Sequence, residues 1–372
     1  MTDVNPAQIV PYVAWGAFIL AFVFGAVGNK TNFCTMGAVS DWVNMGDFNR
    51  MRMWLLAIAV AVIGANALHL AGVVNLSKSI YQAPNFTWLS YAVGGLLFGV
   101  GMTLGSGCAS KTLIRIGAGN LKSVVVFVFL GVAAYMTLRG LFGAFRVDVL
   151  EKASVAFSTG QDLPSLIAAA TGTAKTTWIA IVTVIIGGGM LAFVYSSREF
   201  RSNFDYTLGG VVTGLVVVGG WYVSGHIGYL AEDPNTLQEA FVGTNTGRME
   251  SFSFVSPVAF SLEYLMLWTD KSRIITYGIA SAAGVIAGSA AYALATRTFR
   301  WESFRDAGDT GNHMLGGVLM GFGGITALGC TIGQGISGFS TLALGSIVTF
   351  VSIVAGAAAT MKYQYWRIMQ DA

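Results

Sequence analysis

Apolar residues run on in long stretches with no alternation, and polar residues gather in short clusters between them. The runs at 11–27, 53–74, 121–145, 176–195, 207–223, 274–296 and 342–361 are each long enough to cross a bilayer core of roughly 30 Å as a helix. Two further runs, 88–105 and 311–328, stop at Gly105-Ser106-Gly107-Cys108 and at Gly329-Cys330, and the first run stops in a polar stretch ending at Cys34. Lipid leaves a spanning backbone no partner outside its own segment, which selects helices. A transmembrane barrel would alternate, and these runs do not. The pattern predicts an all-α polytopic membrane protein with eight or nine full spans and several short broken segments.

One stretch occurs twice. GGLLFGVGMTLGSGCAS from Gly94 returns as GGVLMGFGGITALGCTIGQ from Gly316, 222 positions later, superposing Gly94, Gly95, Gly99, Gly101, Gly107 and Cys108 on Gly316, Gly317, Gly321, Gly323, Gly329 and Cys330. Matching interruptions in two repeats are the sequence mark of a transport site between inverted halves. The expected organisation is two pseudo-symmetric halves, 1–175 and 176–372, whose broken, re-entrant half-helices meet near the midplane. Segment 227–254 is an insertion in the second half. In the same register Asp41 and Trp42 meet Glu263 and Tyr264. Cys34 falls on Ser256, or on Val255 after a shift of one, so four quarter-repeats would supply three thiols and one vacancy.

Composition sharpens this picture. Hydrophobic residues make up 54% of the 372 and charged residues 10%, too few to clothe a water-soluble domain. The net charge of +3 is dispersed among loops and excludes a nucleic-acid surface. The 48 glycines suit close packing of spanning helices. Residues 1–9 carry Asp3 and no Lys or Arg, unlike a cleavable signal peptide, so the first run is expected to be retained. Arg50, Arg52, Arg198, Arg201, Arg297, Arg300 and Arg305 are expected on the cytoplasmic side, which puts the N-terminus outside.

The candidate chemistry lies at the breaks. Cys34, Cys108 and Cys330 are the three cysteines of the chain, and each interrupts an apolar run. Their odd number and the lack of a CxxC speak against a disulfide framework and against a zinc or iron–sulfur centre, so no metal or cofactor is expected. A Gly-Cys step, as at Gly107 and Gly329, that opens a helix places a thiol beside unpaired N–H groups and the positive end of the helix dipole. That is an anion site needing no Lys or Arg. Weak S–H donors suit a soft, sulfur-containing anion that must also be released. The same field would make a thiol reactive, which keeps open a membrane thiol enzyme or persulfide carrier. Lys111 and Arg115 follow Cys108 by one and two turns, and either guide an anion or form a solvated face. Gln334 bonds either substrate or a neighbouring helix. Asp41 and Glu263 read as carboxylates that fix packing, and His69 as a locally paired histidine.

At NFCTMGAVSDWVNMGDFNRMRMW, GSGCASK and ALGCTIGQGISG the chain resembles the YeeE/YedE family of membrane proteins, over essentially its whole length. The resemblance implies a pseudo-symmetric helical fold with short helices dipping in from both sides of the bacterial inner membrane. It also implies thiosulfate uptake, without a cofactor, along a relay of S–H contacts formed by Cys34, Cys108 and Cys330. A cytoplasmic sulfur-transfer protein is the partner it implies. The leading expectation is therefore a transporter of thiosulfate or a related sulfur anion, and not an enzyme.

Overall fold

The computed structural model describes residues 6–234 and 236–371. It is helical almost throughout: α1 Pro6–Lys30, α2 Thr35–Ser40, α3 Asn49–Leu70, α4 Trp88–Leu104, α5 Ala109–Gly117, α6 Leu121–Arg139, α7 Leu141–Phe145, α8 Leu163–Thr171, α9 Lys175–Tyr195, α10 Arg198–Ser202, α11 Phe204–Tyr222, α12 Val255–Met266, α13 Tyr277–Ala295, α14 Ala307–Thr326 and α15 Leu344–Asp371. Among the described residues eight helical segments are long and apolar enough to cross a membrane. The protein is an all-α polytopic membrane protein. α14 is not one of the eight, because its first turns carry Asp309 and His313.

Element ends follow local chemistry. Asp47 accepts from the Asn49 amide at 2.8 Å, so α3 starts four residues before the apolar run does. Gly72 at φ +71° then turns the chain out beyond its end. The apolar run 121–145 is not one helix, since Gly140 adopts an extended conformation and separates α6 from α7. The connection 146–175 contains α8, opened by Asp162 accepting from the Ser165 amide at 3.1 Å. Two short antiparallel pairings, Asn85–Phe86 with Val155–Ala156 and Tyr229–Leu230 with Ala240–Phe241, close loops on one face. The insertion 227–254 lies on that face and is bridged to the 71–87 loop through Ser79 and Met249.

The opposite face carries the arginine-rich loops. Lys30 meets Asp205 at 3.6 Å, Asn49 meets Glu199 at 3.1 Å, and the Leu121 amide donates to the Glu302 carbonyl at 2.9 Å. Arg50, Arg52, Arg198, Arg201, Arg297, Arg300 and Arg305 all belong to this face or to the helix ends that reach it. Asp41 pairs with Arg50 at 3.2 Å, while Glu263, on the face of the insertion, pairs with Arg273 at 3.0 Å and accepts from Tyr135 at 2.9 Å. His69 is held by the Val74 carbonyl at 3.1 Å.

The long helices pair across the chain in a recurring way. α1 packs along α13 and α3 along α11; α4 packs along α15 and α6 along α14. At the centre α4 and α14 run antiparallel with glycine on both sides of the contact. A methyl added at Gly94 would lie 2.7 Å from the Gly323 carbonyl oxygen, and one at Gly101 would lie 2.7 Å from the Gly316 carbonyl oxygen. In the register of 222 positions these two contacts are each other's equivalents. Only glycine lets two backbones approach this closely. Gly101→Val is expected to force α4 and α14 apart and destabilise the detergent-solubilised protein by about 1–3 kcal/mol. Gly188→Ala, where an added methyl meets nothing within 4 Å, should change stability by less than about 1 kcal/mol. Thermal melting followed by fluorescence reads both.

Candidate functional site

Each of the three cysteines is built into the backbone the same way. Two residues before it stands a non-glycine residue in the left-handed region: Asn32 at φ 53° before Cys34, Ser106 at 56° before Cys108, and Leu328 at 58° before Cys330. This conformation ends the preceding helix, and the chain resumes as a short helical segment just after the cysteine. Cys34 caps α2, Cys108 occupies the cap position of α5, and Cys330 opens the segment 331–340. The α2 and 331–340 segments relax into wider i→i+5 turns at Asp41–Met45 and Gly333–Gly338, a distortion frequent at functional sites.

Capping sets how the thiols present themselves. The Cys34 sulfur accepts from the Gly37 amide at 3.4 Å, and the Cys330 sulfur accepts from the Gly333 amide at 3.4 Å. A sulfur that accepts from the first turn turns its own S–H outward, where it donates to whatever enters. The Cys108 sulfur is instead 3.3 Å from the Ser110 hydroxyl. All three thiols are buried and unbridged.

The half-helices bring them together from opposite faces. α2 and α5 run from the middle of the bundle toward the arginine-rich face; α12 and segment 331–340 run from the middle toward the face of the insertion. Cys34 and Cys108 lie within interaction range of each other, and Thr331, next to Cys330, stands beside Cys108. Cys108 thus neighbours both Cys34 and the segment that Cys330 opens. Around them the walls are aromatic: Phe33 stacks on Trp54 at 4.9 Å, Trp54 on Phe350 at 6.0 Å, and Phe24 on Phe254 at 5.7 Å.

The fourth position is not where the repeat register put it. The cap of α12 is Phe254, not Val255 or Ser256, and the Ser253 hydroxyl stands 3.9 Å from the Cys330 sulfur. The register slips because the loops before α2 and α12 differ in length. Matching Asn32-Phe33-Cys34 to Ser251-Phe252-Ser253 would have placed a hydroxyl on the missing thiol.

The supporting residues divide. Lys111 is 8% exposed, so it is not a solvated face. Its ammonium is held by the Asn32 side chain, in electrostatic range of Cys34 and Cys108, and makes no ion pair among the described residues. A site expected to need no cation thus has one. Arg115 donates to the Ser106 carbonyl at 2.6 Å, bracing the break before Cys108. Gln334 is engaged on both sides of its amide, by the Ala327 carbonyl and by Ser346 at 2.6 Å, and so ties the break before Cys330 to α15. Gly107 packs on the Lys111 stem and Gly329 on Gln334, where an added methyl would lie 3.3 Å and 3.2 Å away.

Cavities lead in from both faces. On the arginine-rich side a basin of about 320 Å³ is lined by Ser106, Arg115, Asn120, Lys122, Glu302 and Arg305. On the other side a basin of about 180 Å³ carries Arg139 and Arg273. It shares Asn245 and Phe260 with a narrower cavity of about 90 Å³ that reaches Ser253. Glu250 and Tyr277 also line this narrower cavity, and neither they nor Ser253 and Tyr81 stand out in the sequence. The buried hydroxyls of Thr35, next to Cys34, and of Tyr81 have no hydrogen-bond partner, so unpaired polar groups accompany the thiols. No cluster that could hold a metal occurs among the described residues.

The pattern of the sulphur-transport family matches residues 30–359, which takes in all three cysteine breaks. The chain is 29% identical to the thiosulfate transporter TsuA of Escherichia coli strain K12 over 86% of this chain and 85% of that protein. It is 24% identical to the thiosulfate transporter TsuA of Spirochaeta thermophila over 92% of this chain and 96% of that one. With the three cysteine breaks inside the matched region, the chain belongs to the sulphur-transport family, the YeeE/YedE family that its cysteine motifs resemble.

Proposed function

We propose that the protein carries thiosulfate across the bacterial inner membrane through transient S–H contacts made in turn by Cys330, Cys108 and Cys34. The observation that carries this reading is the group of three buried thiols, each at a helix break, with a cavity reaching Ser253 beside Cys330 on one side and a basin lined by Ser106 and Arg115 on the other. The names of the two relatives supply the substrate. The terminal sulfur of thiosulfate is soft and accepts weakly from S–H, so each contact holds the ion without trapping it. Lys111 offsets part of the dianion's charge beside Cys34 and Cys108, and the backbone N–H groups of the half-helices offset more. Aromatic walls keep the row dry and exclude well-hydrated ions.

The reading includes the layout of the chain. Residues 1–175 and 176–372 form two inverted halves, with α9 an element of the second half that has no counterpart in the first. The arginine-rich face is cytoplasmic, following the distribution of Lys and Arg. The sulfur-transfer partner would receive the ion there. No covalent step is needed, and the protein acts as a carrier and not as an enzyme.

Uptake of labelled thiosulfate into vesicles containing the purified protein tests the reading. Ala at Cys34, Cys108 or Cys330 is expected to lower uptake at least tenfold, the loss of about 1.4 kcal/mol or more at each contact. Sulfate should not compete. No flux in the wild type, with a stable sulfur adduct on one cysteine, would instead make the protein a thiol enzyme or persulfide carrier. Ser253→Cys is expected to retain uptake and Ser253→Ala to slow it several-fold, since only the former keeps a donor beside Cys330. Lys111→Met is expected to weaken thiosulfate binding by one to two orders of magnitude, read by calorimetry, while a wild-type affinity would remove Lys111 from the site.

A further inference from the structure

The cavity between Ser253 and the outer basin has features that the thiol row does not use. It has room for several water molecules, at about 90 Å³. Tyr277 is 2% exposed and lines this cavity, where its hydroxyl faces that of Ser251. The Asn245 side-chain oxygen, also on the wall, has no hydrogen-bond partner. Ser251 and Ser253 add two more hydroxyls, the first already donating to the Val217 carbonyl at 2.8 Å.

Glu250 is the charged residue on this wall. Its carboxylate oxygens have only long contacts, 3.4 Å to the Asn245 amide and 3.4 Å to the Thr246 hydroxyl, and no ion pair among the described residues includes it. Its backbone carbonyl is held by the Ser224 hydroxyl, which fixes the residue to the end of α11. The titratable groups facing it are Tyr81 from the 71–87 loop and Tyr277 from α13, with Cys330 beyond Tyr81. Of the charged neighbours, Arg139, Glu263 and Arg273 line the adjoining basin, Lys78 is paired with Glu239, and Arg248 is exposed two residues earlier. Removal from water, unopposed by a nearby cation, pushes the Glu250 carboxyl up to about 7.

An ionised carboxylate in this passage repels an incoming dianion. A protonated one turns from acceptor to donor. We propose that the cavity is an outer binding subsite for a sulfur oxyanion, in which protonated Glu250 and the Tyr277 hydroxyl donate hydrogen bonds to its oxygen atoms before its sulfur meets Cys330, and that ionised Glu250 closes it. This rests on the transport reading and adds a residue set that recognises the oxygen end of the ion. The proton on Glu250 comes from the solution on the insertion side and is not consumed.

Thiosulfate keeps both charges between pH 5.5 and 8.5, so any change in that range belongs to the protein. The experiment is isotope exchange of thiosulfate in proteoliposomes with equal pH and concentration on both sides, paired with calorimetric binding of thiosulfate to the solubilised protein. Wild-type exchange and binding are expected to fall about tenfold per pH unit above 7. Glu250→Gln should flatten both profiles and exceed the wild type about tenfold at pH 8. Glu250→Asp should restore the fall, and Tyr277→Phe should raise the half-saturating concentration several-fold at pH 6. Superimposable pH profiles for wild type and Glu250→Gln would overturn the proposal. Absence of wild-type exchange together with pH-dependent binding that Glu250→Gln abolishes would retire the transport reading and keep the subsite.

Thermal melting is the folding control. A carboxyl whose folded-state pKa is raised costs the fold stability as pH climbs from its ordinary range through about 7. Glu250→Gln should therefore melt above the wild type at pH 8 and level with it at pH 5. If it misfolds, Tyr277→Phe decides: an unchanged half-saturating concentration at pH 6 overturns the subsite.

Discussion

The structure depends on one constraint, that a helix inside a bilayer can stop only where something other than lipid takes over its backbone. Asn32, Ser106 and Leu328 each accept a left-handed conformation that costs an ordinary side chain roughly 1–2 kcal/mol. That strain ends a helix in the middle of the bundle and leaves the first amides of the next segment without helical partners. At Cys34 and Cys330 the sulfur takes one of those amides. The thiol is thus part of the cap, and its position is set by backbone geometry and not by a flexible side chain. Removing the sulfur would take away a helix cap and, on the proposed reading, a substrate contact with it.

The glycines serve the same constraint at a distance. A half-helix needs protein on all sides, and α4 and α14 supply it by crossing with their backbones in contact at Gly94–Gly323 and Gly101–Gly316. These glycines were legible in the sequence as a repeat, because the demand for no side chain at the crossing recurs at the same spacing in both copies. So were the spanning helices and the three breaks, since apolar length and an interrupting Gly-Cys or Asn-Phe-Cys are local properties. Burial of Lys111 was not legible. Its spacing from Arg115 fits a wet helix face equally well, and only the position of Asn32 across the break turns it inward. Gln334 was ambiguous for the same reason, until Ala327 and Ser346 took both ends of its amide. The fourth position was put on Ser256 or Val255, past the Phe254 cap of α12, because a register carried over from one part of a repeat fails where loop lengths differ. Glu250 and Tyr277 come together from two elements nearly thirty positions apart, and no local pattern marks either.

Two charges remain that packing alone does not explain. Lys111 is buried and Glu250 half-buried, and an ion removed from water without an ionic partner is costly. Lys111 lies beside Cys34 and Cys108, and Glu250 lies beyond Cys330 on the opposite side of the row. For a dianion entering a negatively charged cell interior, the membrane potential opposes movement by about 2.3 kcal/mol per charge per 100 mV. A cation deep in the protein lowers the energy of the ion where that opposition and the loss of water are both felt. It also threatens to hold the ion there. An acidic group at the outer end does the reverse, admitting the ion when neutral and repelling it when charged. On the proposed reading the pair separates two requirements that a single site cannot meet, attraction at the centre and controlled admission at the edge. The thiols, uncharged and weakly donating, would then connect the two without adding a trap of their own.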